Sequence, residues 1–405
     1  MSYIKSGTAY LPNLTPLRGI AALLTVIYHA DLYLGAGGGG LIRTEDSLLI
    51  TKLYLMVDFF FVLSGFIMCH VYGKWFSTSV EGFSFKKFTI ARFARVYPLH
   101  FFTLFYLVAL RIWFVSAVGN DADADPFGAA SFTWQSIPTN LLLIQSMNVH
   151  NWFTWNNAAW SISTEWWMYM LFPFLVAPFM RLSSAARVAV VLACFGGYVF
   201  IMLVIQNFVT VPPALSFIKP EPTINVAYQY GFLRCMFGFI IGMMIYLGYK
   251  EGFAKRFFAN GTTLVISAVC LCICLHFAVP DVISVSFYPL IILSAAYGSK
   301  RMNAVFGNRI MQRLGDWSFS IYLVHQPIAY TFFMLQTYFN SKQAVADAGP
   351  PPKPEILTAW MICLIFIVIT LVLSWLTYKY IEVPSRNSIN SKFKTHDAKS
   401  NLQTI

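Results

Sequence analysis

Apolar runs of about 20 residues, the length a helix needs to cross the hydrocarbon core of a bilayer, recur from one end of this chain to the other. A water-soluble fold has no use for so many segments of that length. The composition agrees: 58% of the 405 residues are hydrophobic and 11% are charged, against about 25% charged in soluble domains. The expected fold class is therefore all-α, a polytopic integral membrane protein of about ten transmembrane helices. The spans are read at 14–34, 48–72, 97–117, 157–180, 187–207, 227–249, 262–279, 282–298, 317–339 and 357–380. A further apolar piece, 137–149, is too short to cross and is expected to be re-entrant or interfacial.

The formal net charge of +11 does not point to nucleic acid, because in a membrane protein the position of the positive charges carries the information. With the N-terminus in the cytoplasm, only Arg43, Lys52, Arg111, Lys219, Lys342 and Lys353 of the 28 basic residues fall on the outer side, and Arg234 falls within a span. The remainder gather at cytoplasmic ends, so both termini are expected in the cytoplasm. The first apolar run contains Arg18 and His29 and lacks the clean apolar stretch and small-residue cleavage site of a signal peptide; it is expected to stay as the first span. Residues 1–386 read as one integral-membrane domain. Residues 387–405, polar and basic with Lys392, Lys394 and Lys399, read as a disordered cytoplasmic tail. Outer loops carry a glycine linker at 37–40, an acidic cluster of Asp121, Asp123 and Asp125, and a proline-rich turn at 349–354. The seven cysteines all lie in apolar runs and do not read as a disulfide framework. Cys270, Cys272 and Cys274 with His276 alternate along a helix and do not converge on one ion, so no metal is expected.

Ionisable side chains inside spans are costly and usually mark function. Arg18 and His29 are eleven residues apart, close to three helical turns, so they share a face and stand about 16 Å apart in depth. Arg92 and Arg95, three apart, project from one helix face and can grip a phosphate, or simply anchor the span. Between residues 151 and 169 lie Trp152, Trp155, Trp160, Trp166 and Trp167 with Ser161 and Glu165. The indoles read as an interfacial belt or as flat faces for sugar rings; Glu165 needs a partner or a task. Asp58 reads equally as a catalytic group or as half of a structural pair, with Arg234 a natural partner for it or for Glu165. His325 reads as a second catalytic group or a packed core histidine.

Six segments resemble the membrane acyltransferase family 3 in its own motif order: RGIAALLTVIYH (18–29), VDFFFVLSGF (57–66), the Arg92/Arg95 pair, WSISTEWWMY (160–169), SFSIYLVHQP (318–327) and YIEVPSR (380–386). The resemblance covers residues 14–386 and is to the stand-alone form found among bacterial exopolysaccharide and O-antigen O-acetyltransferases. It implies a membrane-bound O-acyltransferase of the cell inner membrane, moving an acyl group, acetyl foremost, from acyl-CoA to a hydroxyl of a glycan or lipid-linked saccharide. Acyl-CoA is then a donor substrate, with no permanently bound cofactor, and polysaccharide-assembly proteins are candidate partners besides the lipid bilayer.

On that reading Arg18, Arg92 and Arg95 bind the donor, and His29 is the base or transient acyl carrier with Glu165 orienting it. Asp58, Ser161, Arg234 and His325 support them, Ser161 more as a packing group than a nucleophile. A tunnel is expected from the arginines to His29, with Glu165 against His29 directly or through one water. A second, tryptophan-ringed opening would admit the acceptor. The alternative is a transporter or flippase for a glycan or glycolipid whose buried charges line a path.

Overall fold

The computed structural model describes residues 10–35, 38–119, 126–213, 222–342 and 354–402. Gly37, the cluster Asp121, Asp123 and Asp125, Lys219, residues 349–353 of the proline-rich turn and residues 403–405 lie outside the described residues. All regular structure among the described residues is helical. The long helices are α1 (Leu14–Leu34), α2 (Met56–Tyr72), α3 (Gly82–Val118), α4 (Ala159–Met180), α5 (Ser184–Leu203), α6 (Gly231–Glu251), α7 (Thr262–His276), α8 (Asp281–Tyr297), α9 (Ser318–Lys342), α10 (Ile356–Thr377) and α11 (Val383–Leu402). Each of the ten segments read as a span from the sequence overlaps one of the first ten helices.

Length and apolarity separate them. Among the described residues six helical stretches are long and apolar enough to cross a membrane, those of α1, α2, α3, α5, α6 and α10; α8 and Lys300–Phe306 make a seventh when the pair, bent by 98°, is counted as one span. The chain is thus a multi-pass membrane protein. Helix α7 has 15 residues, about 22 Å at the usual rise and short of a full crossing. Helices α4 and α9 have the length, with 22 and 25 residues, and fall short in apolarity. The polar residues responsible are Ser161, Ser163, Thr164 and Glu165 on α4, and Ser318, Ser320, His325 and Gln326 on α9, all but Glu165 buried. Such helices hold their place by facing other protein.

The tightest joint is between α2 and α6. A Cβ on Gly65 would collide with the Phe239 carbonyl oxygen, and one on Gly242 with that of Val62. Without side chains at these two positions the backbones meet directly, the small-residue packing that brings helices together where lipid offers no hydrophobic contrast. Beside the joint, Arg234 of α6 grips Asp58 of α2 through Nη2 at 2.6 Å and Nε at 3.0 Å, and both side chains are fully buried. The guanidinium also donates to Asn225 Oδ1 at 3.1 Å and to the Val226 and Tyr54 carbonyls at 3.3 Å. Every donor has an acceptor, which is what keeping a charge in the apolar interior requires.

Two further segments of the described chain remain. Residues 137–149 do not cross, as expected, and are mainly a turn: only Ile137–Leu141 is helical, and Asn140, Leu143, Gln145 and Ser146 are buried against the bundle. Helix α11 runs on past residue 386 to Leu402, through most of the segment read from the sequence as a tail. The helix follows directly on the turn Tyr378–Glu382 and packs against α3, which extends a helix already begun; extension is cheaper than nucleation.

Candidate active site

Helix α1 runs alongside α9, and successive residues of α1 meet successive residues of α9. Arg18 Nη2 donates to Ser318 Oγ at 3.1 Å, the His29 and His325 rings meet further along, and Tyr33 donates to Gln326 Oε1 one turn beyond. The eleven-residue spacing therefore does place Arg18 and His29 on one face, and α9 is what that face meets.

The end near Arg18 borders a cavity of about 140 Å³. Its polar lining is Arg18, Arg92, Arg95, Ser64, Glu165 and Tyr169, with Ser161, Ser318 and Tyr322 completing the wall. Arg92 donates to the Tyr72 hydroxyl at 2.7 Å and lies over the rings of Tyr72 and Tyr169; its buried Nε has no partner. Arg95 is ion-paired to Glu382, a buried carboxylate that also accepts from Ser320 Oγ at 3.1 Å and lies 3.8 Å from Arg386. Three guanidinium groups and one carboxylate give the cavity an excess of positive charge and hydrogen-bond donors, the chemistry that holds phosphate or another anion.

Glu165 is not the partner of His29. It accepts from Ser64 Oγ and, at 2.6 Å, from the Tyr169 hydroxyl. The reason lies in helix packing: α4 packs on α2, α3 and α6, whereas α1 packs on α2, α9, α10 and the short helix Arg309–Asp316. Glu165 thus meets Ser64 of α2, and the carboxylate belongs to the cavity. His29 does not line that cavity. Tyr322 does, and its ring also stands edge-on to His325, 5.9 Å between centroids. Phe60, 5.8 Å from it, lines the cavity as well, and the cavity stops short of His29, so the expected tunnel does not reach that residue.

The hydrogen bonds of the histidine pair fix its protons. His29 Nδ1 lies 2.9 Å from the Thr25 carbonyl oxygen, and His325 Nδ1 lies 3.2 Å from that of Ile321. A carbonyl oxygen only accepts, so in neutral rings both Nδ1 atoms carry the hydrogen and both Nε2 atoms carry a lone pair. His325 Nε2 is 3.2 Å from His29 Nδ1 and so accepts from it. His29 Nε2 is left with its lone pair and no protein hydrogen bond. His29 is partly exposed, while His325 is fully buried. This is the arrangement of a base backed by a group able to share its second proton.

The remaining predicted residues separate by role. Asp58 and Arg234 pair with each other, and neither is hydrogen-bonded to His29 or His325. The Ser161 hydroxyl lies 2.7 Å from that of Tyr322 and 3.3 Å from the Ala158 carbonyl; no base contacts it, so it is a packing group. The tryptophans do not ring one opening. Trp155 is fully buried and donates to the Thr133 carbonyl at 3.2 Å, and Trp160 lies against Arg234 and Phe61. Trp166 packs on Tyr97, Trp167 donates to the Leu143 carbonyl at 2.9 Å, and Trp152 stacks near Tyr228. Each indole is used in a different packing contact. His276, once weighed with the cysteines, lies 2.8 Å from Ser47 Oγ. Sequence reasoning missed Glu382, Ser64, Tyr169, Tyr322 and Gln326. All five lie inside the segments that carry the family resemblance, and Glu382 is also an acidic residue at the end of an apolar run.

The sequence pattern of the family described as "Acyltransferase domain" matches residues 12–379. Acyltransferase MdmB of Streptomyces mycarofaciens is 26% identical over 394 residues, covering 92% of this chain and 91% of that protein. O-acetyltransferase OatA of Staphylococcus aureus is 21% identical over 394 residues, covering 93% of this chain and 57% of that protein. Protein 2 in the picA locus of Rhizobium radiobacter is 41% identical over 98 residues, 24% of this chain and 43% of that protein. The chain thus spans most of the length of MdmB and little over half of that of OatA. No solved structure matches the chain.

Proposed function

The chain belongs to the acyltransferase domain family, and from that premise we propose that it moves an acyl group, acetyl foremost, from acyl-CoA to a hydroxyl of a sugar or glycan. The observation that carries the proposal is the His29 Nε2 lone pair, left free by a ring whose Nδ1 is held by the Thr25 carbonyl and His325, with a three-arginine cavity at the Arg18 end of the same helix face. Donor phosphates bind at the cavity mouth with Arg18, Arg92 and Arg95, and the acylated pantetheine end enters past Tyr322. Because Arg95 is already paired with Glu382, Arg92 and Arg18 carry more of that binding.

In the reaction, His29 Nε2 removes the proton from the acceptor hydroxyl as its oxygen attacks the thioester carbonyl. The new carbon–oxygen bond forms, the carbon–sulfur bond breaks, and the departing CoA thiolate takes the proton back from the imidazolium. His325 shares the Nδ1 proton while His29 is charged. Glu165 fixes Ser64 and Tyr169 in the donor cavity. The hydroxyl acceptor is supported by the name of OatA as an O-acetyltransferase, and a glycan acceptor by the name "Putative peptidoglycan O-acetyltransferase YrhL" of a Bacillus subtilis relative. The Lys and Arg distribution supports ten spans, cytoplasmic termini and residence in the cell inner membrane, where polysaccharide-assembly proteins would be neighbours.

The test is acyl transfer by the purified protein in lipid nanodiscs, with radiolabelled acetyl-CoA and saccharides extracted from the envelope of the cells that make it. Label should enter saccharide with the parent protein and not with His29→Ala. Absence of label with the parent, or equal label with His29→Ala, overturns the proposal.

A further inference from the structure

Glu382 touches an arginine of the cavity without lining the cavity itself. Its carboxylate is buried, ion-paired with Arg95 Nη1 through Oε1, and accepts from Ser320 Oγ through Oε2 at 3.1 Å. Arg386, one turn on, brings Nη1 to 3.8 Å from Oε1. Glu382 ends the turn Tyr378–Glu382, wound as a single π turn between α10 and α11; such widened turns recur where a helix serves a function.

Arg95 faces both ways. It lines the cavity, is partly exposed, and lies over the ring of Phe319, another part of the cavity wall, 5.0 Å from its centroid. A cation is attracted to the whole face of a ring, so the guanidinium can shift there without losing that contact. It also carries five N–H donors, more than one carboxylate oxygen can use.

An anion entering the cavity therefore meets an arginine whose charge is already offset. Phosphate and carboxylate take the same fork of donors. When a phosphate draws Arg95 away, Glu382 is not stranded, because Ser320 and Arg386 still hold it; a buried carboxylate left with no partner would make that exchange too costly. The reaction gives the competition a use. Acyl-CoA and the CoA left after transfer carry the same phosphates, so arginines that grip the donor hold the product equally. A carboxylate that takes one guanidinium back weakens both and lets CoA leave.

We infer that Glu382 is an internal counter-ion competing with the donor's phosphate groups for Arg95, and that it thereby sets the affinity of the cavity for acyl-CoA and for CoA. It acts through Arg95 and is a positioning residue. The inference rests on the acyl-CoA reading above and adds what limits donor binding at that cavity.

The test measures equilibrium binding of CoA to the purified protein in lipid nanodiscs, and KM for acetyl-CoA in transfer to the envelope saccharide extract. Glu382→Gln has the same shape, still accepts from Arg95, and removes only the charge. The dissociation constant of CoA and the KM for acetyl-CoA should both fall about tenfold, as removal of one competing charge-assisted hydrogen bond implies. A gain in affinity cannot come from misfolding, whereas a residue that merely braces the α10–α11 turn predicts a loss. Glu382→Asp keeps the charge and draws it back by one methylene; it should give a smaller fall, and it decides the matter if the glutamine variant does not fold. In an Arg95→Gln background, Glu382→Gln should lose most of its effect. Affinity for CoA no better than the parent's in the Glu382 variants overturns the inference, and so does a gain that persists without Arg95. Protein that binds CoA in none of these forms refutes instead the acyl-CoA reading on which the inference rests.

Discussion

The Asp58–Arg234 pair makes a quantitative case for separating structure from chemistry. Replacing Asp58 with Leu leaves a fully buried guanidinium whose remaining acceptors are neutral: Asn225 Oδ1 and the carbonyls of Tyr54 and Val226. Replacing Arg234 with Met leaves a buried carboxylate with one weak donor, the Tyr198 hydroxyl at 3.4 Å. Stranding either charge should cost about 3–5 kcal/mol. The double variant Asp58→Leu/Arg234→Met strands no charge and deprives the three neutral acceptors of a donor, at about 1 kcal/mol each. The singles therefore sum to roughly 6–10 kcal/mol and the double costs about 3. The resulting coupling of at least about 3 kcal/mol corresponds to roughly a hundredfold or more in the folding equilibrium. Reversible unfolding in mixed micelles, titrated with denaturing detergent, gives all four corners of the cycle, and acetyl transfer is measured on the same samples. A double variant no less stable than either single, and still transferring acetyl groups, places the pair in the scaffold. Singles as stable as the parent, or a stable double variant without activity, would refute that reasoning.

His325→Ala should lower kcat for transfer while changing KM for acetyl-CoA little, since its proposed partner is the charged His29 ring and not a substrate; an unchanged kcat would remove it from the mechanism. Arg92→Ala should raise KM for acetyl-CoA more than Arg95→Ala does, because Glu382 already occupies Arg95; steady-state donor titrations that show the reverse order would contradict this. Gly242→Leu should disrupt the α2–α6 joint, where even a Cβ meets the Val62 carbonyl oxygen, and lower the yield of monodisperse protein in detergent well below that of Gly196→Leu, at a position with open space. Equal yields would show that the joint tolerates separation.

Much of the architecture was legible in the sequence because membrane helices are local objects. An apolar run of sufficient length must satisfy its backbone internally, so α1 and its successors could be found one segment at a time. Geometry within one helix was equally accessible: eleven residues set Arg18 and His29 on one face whatever surrounds them. The identity of the partner was not accessible. His29 meets His325, 296 residues away, and Glu165 meets Ser64 because α4 packs beside α2 and not beside α1. The same applies to Arg95 and Glu382, joined across 287 residues, and to the tryptophans, which share a stretch of sequence and turn to different neighbours. Periodicity states which residues of a helix look the same way; it does not state what they look at. That depends on how each helix is rotated and which helices adjoin it, and both are set by packing of the whole bundle, including a glycine joint that lets two backbones touch.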